Sequence, residues 1–283
     1  MNKRAVKVIS VITAAMFIPG VASSCYRVPY EYDYSWAENY QYIAHACGGI
    51  DGYTYTNSRE ALSYNYDLGH RVFEVDLMLS PEGELICWHG WDDPAVFSVI
   101  PEEYRYQEMS YDDFMNFEMI GGFHTMDFAY LVNFMADHPD MYVVTDTKSP
   151  EDEVSQEIFQ KIVDVASQIA PETLDRIIPQ IYNDGMLKVI TDIYPWKSVI
   201  LTLYMYPITA HGIPFDHIRR FVERNGIRVV TTFPNGGLND EFMSDLQNDD
   251  IFIYLHTFNS QEDVDYWTER GIGGFYTDFL VEN

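Results

Sequence analysis

The chain has 283 residues, a formal charge of −27, 47% hydrophobic residues and 16% aromatic residues. That apolar content excludes a disordered chain and allows one large domain or two modest ones, each with a sizeable core. The 17 Lys and Arg against 44 Asp and Glu argue against contact with nucleic acid or an anionic membrane, which both depend on clustered cations.

In chain order, Lys3, Arg4 and Lys7 precede an 11-residue apolar run from Val8 to Ile18, which Pro19-Gly20 breaks and Ala22-Ser23-Ser24 follows. The run falls well short of the ~20 residues needed to span a bilayer, so residues 1–24 are expected to be a cleaved export signal. Cys25 then stands where bacterial lipoprotein signals carry the lipidated cysteine, although Ala22 occupies a place where leucine is usual. A lipid anchor at Cys25 and an ordinary cleavage site both remain open. Residues 25–40, rich in Tyr and Trp, read as an exported spacer or an aromatic arm lying on the domain that occupies 41–283.

From Tyr42 onward, short β-branched and aromatic runs alternate with helical stretches, the signature of βαβ units. The strand candidates are Tyr42 to His45, Val72 to Met78, Leu85 to His89, Tyr142 to Thr147, Arg176 to Ile181, Val199 to Tyr204, Ile227 to Thr232, Ile251 to Thr257 and Gly274 to Asp278. Ser80-Pro81-Glu82-Gly83 leaves too little chain between the second and third for a crossover helix, so the third must return antiparallel as a hairpin arm. Eight parallel strands remain. Helices are predicted at about 58–68, 126–138, 151–169, 184–193, 215–225, 239–248 and 261–270. The predicted fold class is α/β: a (β/α)₈ barrel with a β-hairpin insertion after strand two.

Active sites of such barrels lie at the carboxyl ends of the strands. Strand two ends Glu74-Val75-Asp76, and alternation puts both carboxylates on one face, expected to be the barrel interior. Asp146 and Lys148 share a face at the end of the next parallel strand. One lysine cannot neutralise three carboxylates that repel one another in a partly dry site, so a divalent cation with oxygen ligands, Mg²⁺ or Ca²⁺, is expected. His45 at the end of strand one and His89 at the end of the hairpin arm should overhang the same mouth, where imidazoles titrating near neutrality can act as acid and base. Gln180, Tyr204 and His256, near the ends of later strands, are further candidates to line a substrate pocket.

Ile43-Ala44-His45 with Gly48-Gly49, then Asn57 and Ala61-Leu62, Glu74-Val75-Asp76, Glu82-Gly83 and Trp88-His89 together resemble the glycerophosphodiester phosphodiesterase family. More broadly they resemble the phospholipase-C-like phosphodiesterase barrels, which include the sphingomyelinases D. Asp146-Thr147-Lys148 is similar to the Asp-x-Lys of the latter, and Tyr276-Thr277-Asp278 resembles the Thr-Asp that ends the last strand. The resemblance implies a metal on Glu74, Asp76 and Asp146, an acid/base pair in His45 and His89, and Lys148 touching the phosphate. Ala46 and Gly90 depart from the pattern, since the family usually carries arginine after the first histidine and aspartate after the second. The missing arginine removes a bidentate phosphate ligand.

The expected activity is therefore that of an exported, metal-dependent phosphoric diester hydrolase on a small-molecule, lipid-headgroup or envelope phosphodiester. Two alternatives stay open: a phospholipase-type lyase releasing a cyclic phosphate from intact lipid, and a non-catalytic glycan-binding envelope protein. A monomer is expected, without nucleic acid, and with membrane contact only through Cys25. Trp91 to Ser110 should form either an aromatic lid or wall over the pocket or a packed surface loop. Gly121-Gly122 and Gly236-Gly237 read as turns, and Cys47 and Cys87 could form one disulfide.

Overall fold

The computed structural model describes residues 31–207, 212–234 and 239–282. The proposed signal, Cys25 and Gly236-Gly237 lie outside the described residues. Among the described residues, nine strands form one sheet: β1 Tyr42–Ala44, β2 Val72–Leu79, β3 Leu85–Cys87, β4 Tyr142–Asp146, β5 Ile177–Ile181, β6 Ile200–Thr202, β7 Val229–Thr232, β8 Phe252–Leu255 and β9 Gly274–Thr277. Their order is β1-β9-β8-β7-β6-β5-β4-β2-β3, and a further pairing of β1 with β2 closes eight parallel strands into a barrel. β3 lies antiparallel on β2, Leu77 opposite Cys87, as the short Ser80–Glu84 connection requires.

Outside the barrel run α2 Arg59–Asp67, α4 Phe128–Asp137, α5 Asp152–Ile169, α6 Asp184–Ile193, α7 Phe215–Asn225, α8 Asp240–Asn248 and α9 Gln261–Thr268, with the short α1 Ser35–Asn39 and α3 Tyr111–Asn116. Several begin where a short polar side chain accepts a backbone N–H of the first turn: Ser58 from Ala61, Asp127 from Tyr130, Asn183 from Met186 and Asn239 from Phe242. Strand alternation sorts the core. Phe73, Val75, Val143, Ile177, Leu201, Val230, Ile253 and Phe275 point outward and pack under the helices. Ile43, Val72, Val144, Ile178, Ile200, Val229, Tyr254 and Tyr276 point inward and fill the amino-terminal half of the barrel.

Residues 34–40 close that end. Trp36 is 1% exposed, donates its indole N–H to Ser198 Oγ at 2.8 Å and packs against Tyr254. The Tyr34 hydroxyl donates to the Val199 carbonyl. Within the described part of this segment, residues 34–40 are driven into the barrel base. The segment after β3 takes the packed alternative. Trp88, Trp91, Val96, Val99, Ile100, Phe114 and Phe123 bury one another in a separate cluster beside β2 and β3. Its apolar rings cover each other, so Trp91 forms part of a packed wall, while Tyr104 and Tyr106 are left exposed. Cys47 and Cys87 are both free, buried thiols.

Candidate active site

Along β2 the inward stripe changes from Val72 to Glu74 to Asp76, and along β4 from Tyr142 and Val144 to Asp146. The barrel is therefore apolar at its base and acidic near its carboxyl-end mouth. β2 and β4 pair in register, Asp76 beside Asp146, which brings the carboxylates together. Glu74, Asp76 and Asp146 are all buried, and one oxygen from each lies within 4.8 Å of the other two. Glu74 Oε2 accepts the Ala46 N–H at 2.7 Å, while Oε1 is buried without a hydrogen-bond partner. Asn57 clasps Asp76, donating from Nδ2 to Oδ2 at 2.8 Å and accepting the Asp76 N–H on Oδ1.

The lone lysine sits between two of the three acids. Lys148 Nζ is 2.7 Å from Asp76 Oδ1 and also pairs with Asp146. Asp146 further accepts from the Tyr182 and Tyr204 hydroxyls. Burial opposes ionisation of Asp146, but Lys148 and the two phenols outweigh it and hold the carboxyl at about 2. Glu74 has no such donors on Oε1. Burial first, then the neighbouring Asp76, pushes it up to about 8. A buried carboxylate with one unmatched oxygen, facing two others across a few ångströms, fits a hard cation with oxygen ligands.

His45 and His89 flank this cluster. His45 lies in the tight turn directly after β1, its Nδ1 2.9 Å from Asp278 Oδ1 at the end of β9. Asn259 orients that aspartate, donating to Oδ2 at 2.7 Å and accepting the Asp278 N–H. Burial disfavours the His45 imidazolium, but Asp278, together with Glu74 and Asp76, overcomes that and raises its pKa. His89 behaves oppositely: burial outweighs the pull of Asp76 and lowers its pKa, and Asp93 approaches Nδ1 only at 3.4 Å.

The three proposed pocket residues are placed differently from one another. Gln180 is fully buried, its amide donating to the Tyr204 hydroxyl at 3.2 Å and its carbonyl accepting from Tyr276. Tyr204 is engaged with Asp146. His256 stacks on Tyr276 with ring centroids 3.7 Å apart, and its buried Nε2 lacks a partner. Burial, then the charge of His45, keeps it neutral. Tyr55, Tyr182 and Asn259 complete the site without having been singled out by sequence reasoning. Tyr182 carried a usable signal, since it follows strand five as Tyr204 follows strand six; Tyr55, on a loop, carried none.

No family model and no curated protein matches the chain. Solved structures do match. A glycerophosphoryl diester phosphodiesterase assignment from Silicibacter pomeroyi aligns at TM-score 0.67 and 13% identity over 84% of this chain and 90% of its own. A glycerophosphodiester phosphodiesterase from Parabacteroides distasonis gives 0.65 and 13% over 84% and 92%. An Oleispira antarctica phosphodiesterase in complex with the product sn-glycerol-3-phosphate gives 0.67 and 15% over 86% and 95%. The chain thus has the (β/α)₈ barrel fold of these phosphodiesterases.

Proposed function

We propose that the protein is a metal-dependent phosphoric diester hydrolase acting on a glycerophosphodiester-like or envelope phosphodiester bond. The observation that carries this reading is the convergence of Glu74, Asp76 and Asp146 with two histidines of opposite protonation tendency at one barrel mouth. Glu74, Asp76 and Asp146 would hold one divalent cation, Mg²⁺ or Ca²⁺, which offsets charge on the phosphoryl oxygens when bound. His89, with its lowered pKa, accepts the proton of the attacking hydroxyl as that oxygen bonds to phosphorus. His45, held protonated by Asp278, gives its proton to the departing oxygen as the second P–O bond breaks. Lys148, drawn toward Asp76 and Asp146, supplies positive charge where the non-bridging oxygens would lie. The sn-glycerol-3-phosphate bound by the Oleispira antarctica neighbour supports a small phosphodiester substrate.

Export follows from the signal-like residues 1–24, with secretion, a periplasmic location or anchoring at Cys25 as the destination. Palmitate labelling in the native host that disappears in Cys25→Ala would mark the anchor. The activity is tested by ³¹P NMR of glycerophosphodiesters, lysophospholipids and phosphatidylinositol incubated with the purified protein, with and without EDTA. Chelator-sensitive cleavage absent from both His45→Ala and His89→Ala is the expected result, and the spectrum separates hydrolysis from a cyclic product. Retained cleavage in both variants would refute the acid/base pair.

A further inference from the structure

The loop from Ala46 to Ser58 joins β1 to α2 and carries backbone conformations that side-chain-bearing residues ordinarily avoid. Among the described residues, eight non-glycine positions have positive φ, and five of them, Ala46, Cys47, Asp51, Tyr55 and Asn57, fall in this loop. Tyr55 is the bulkiest of the five, with φ 59°, a genuine outlier for a large side chain. Such strain persists only where surrounding structure enforces it, and it concentrates at functional sites. Here the enforcing contacts include the double hydrogen bond between Asn57 and Asp76.

The Tyr55 ring is wedged between the two imidazoles. Its centroid lies 4.6 Å from that of His45 at 85° and 5.0 Å from that of His89 at 86°, so each contact is edge-on. The residue after His45 is Ala46, a buried methyl group without hydrogen-bonding capacity. Lys148 Nζ is meanwhile shared between two carboxylates. Few donors in the site are therefore free for the phosphoryl group.

We propose that Tyr55 is a further residue of the reaction centre: its ring fixes the separation of His45 and His89, and its hydroxyl donates to a non-bridging phosphoryl oxygen of the substrate. This rests on the phosphodiesterase reading. Burial, then Asp278 and Asp76, pushes the phenol up to about 12, so the hydroxyl keeps its proton at neutral pH.

The test compares the full protein with Tyr55→Phe and Tyr55→Leu, measuring sn-glycerol 3-phosphate binding by calorimetry with Mg²⁺ or Ca²⁺ present, and kcat, KM and their pH profiles on a cleaved diester. Tyr55→Phe keeps the wedge and loses the donor, so binding should weaken and KM rise about tenfold with kcat little changed. Tyr55→Leu removes the wedge as well, so kcat should also fall and both limbs of the pH profile should move. Wild-type binding and KM in Tyr55→Phe would overturn the donor role. An unmoved pH profile and kcat in Tyr55→Leu would overturn the wedge. Weaker binding in Tyr55→Phe alongside a wild-type protein that cleaves no diester would refute the phosphodiesterase reading while leaving Tyr55 as the phosphoryl donor. A wild-type protein that binds no sn-glycerol 3-phosphate would overturn the donor role itself.

Discussion

Asp278→Asn isolates the electrostatic part of the proposed mechanism. Asp278 and His45 side chains are each 8% exposed and meet at 2.9 Å, so solvent screens the pair little. The substitution is nearly isosteric but removes the charge that supports the imidazolium. It also forces a choice, because Asp278 now accepts from His45 Nδ1 on one oxygen and from Asn259 Nδ2 on the other. An amide offers one acceptor and one donor, so one of the two bonds must become donor against donor. A hydrogen bond to a charged group is worth about 1.5–3 kcal/mol, which corresponds to roughly a 10- to 100-fold loss of kcat/KM near neutral pH. The sign on pH is fixed. As the proposed acid, His45 loses its function as pH rises through its pKa, and losing Asp278 lowers that pKa, so the basic limb should move to lower pH while the acidic limb assigned to His89 stays. The assay is the pH profile of kcat/KM for the wild type and the variant. An unchanged basic limb would show that His45 is not the acid or that Asp278 does not sustain it.

Glu74→Gln should stabilise the cation-free protein against urea at pH 7, because with its pKa raised to about 8 the folded chain keeps Glu74 protonated where the unfolded chain ionises it, and should weaken Mg²⁺ or Ca²⁺ binding in calorimetry; a destabilised variant with intact metal affinity would contradict the electrostatic account. Trp36→Ala removes a fully buried plug at the barrel base and should cost about 3–5 kcal/mol in denaturant unfolding, with kcat per folded molecule unchanged because the site lies at the other end. His70 is 2% exposed and burial lowers its pKa from 6.5 to about 4, so the unfolded chain binds more protons in that interval. Its contribution to stability is full above about pH 6.5 and is lost as pH falls through about 4, up to roughly 3 kcal/mol; His70→Phe should flatten that part of the stability profile, and a slope equal to the wild type would refute it.

The barrel was legible because each strand is a short β-branched or aromatic run with a helical stretch after it, and because the Ser80–Gly83 turn could not accommodate a crossover. Most misplaced carboxyl ends lie in one direction, although β2 runs one residue past the predicted Met78. The predicted runs reached His45, His89, Thr257 and Asp278, whereas the strands stop one or two residues earlier. Polar residues at a barrel mouth continue the hydropathy alternation of the strand while their backbone has already turned away to place the side chain over the site. Helix α1 was missed because its five residues show no periodic apolar face. Trp36 is buried by entering the barrel end-on, a tertiary circumstance with no local pattern. The helix Tyr111–Asn116 and the packed cluster around Trp91 were hidden for a similar reason, since a small aromatic core assembled from loops has no repeat to detect.

The site divides along the same line. Glu74, Asp76, Asp146, Lys148, His45 and His89 could be named because strand alternation and strand ends project them to one place. Asn57 and Asp278 could be named only as parts of motifs, without a role, while Asn259 and Tyr55 escaped altogether. Asn57, Asp278 and Asn259 each hold a charged group by hydrogen bonds across long sequence separations, and Tyr55 lies on a strained loop. Yet their presence is demanded by electrostatics once the first six are placed. Three buried carboxylates around one lysine cost more than Lys148 can offset, so each remaining oxygen must find a donor or stay unmatched. Asp76 has Asn57, Asp146 has Tyr182 and Tyr204, and Glu74 Oε2 has a backbone N–H. Among those oxygens Asp76 Oδ1 has only its ion pair with Lys148, and Glu74 Oε1 has neither a hydrogen bond nor an ion pair; burial and the neighbouring Asp76 raise the Glu74 pKa to about 8, a local excess of negative charge compatible with a divalent cation.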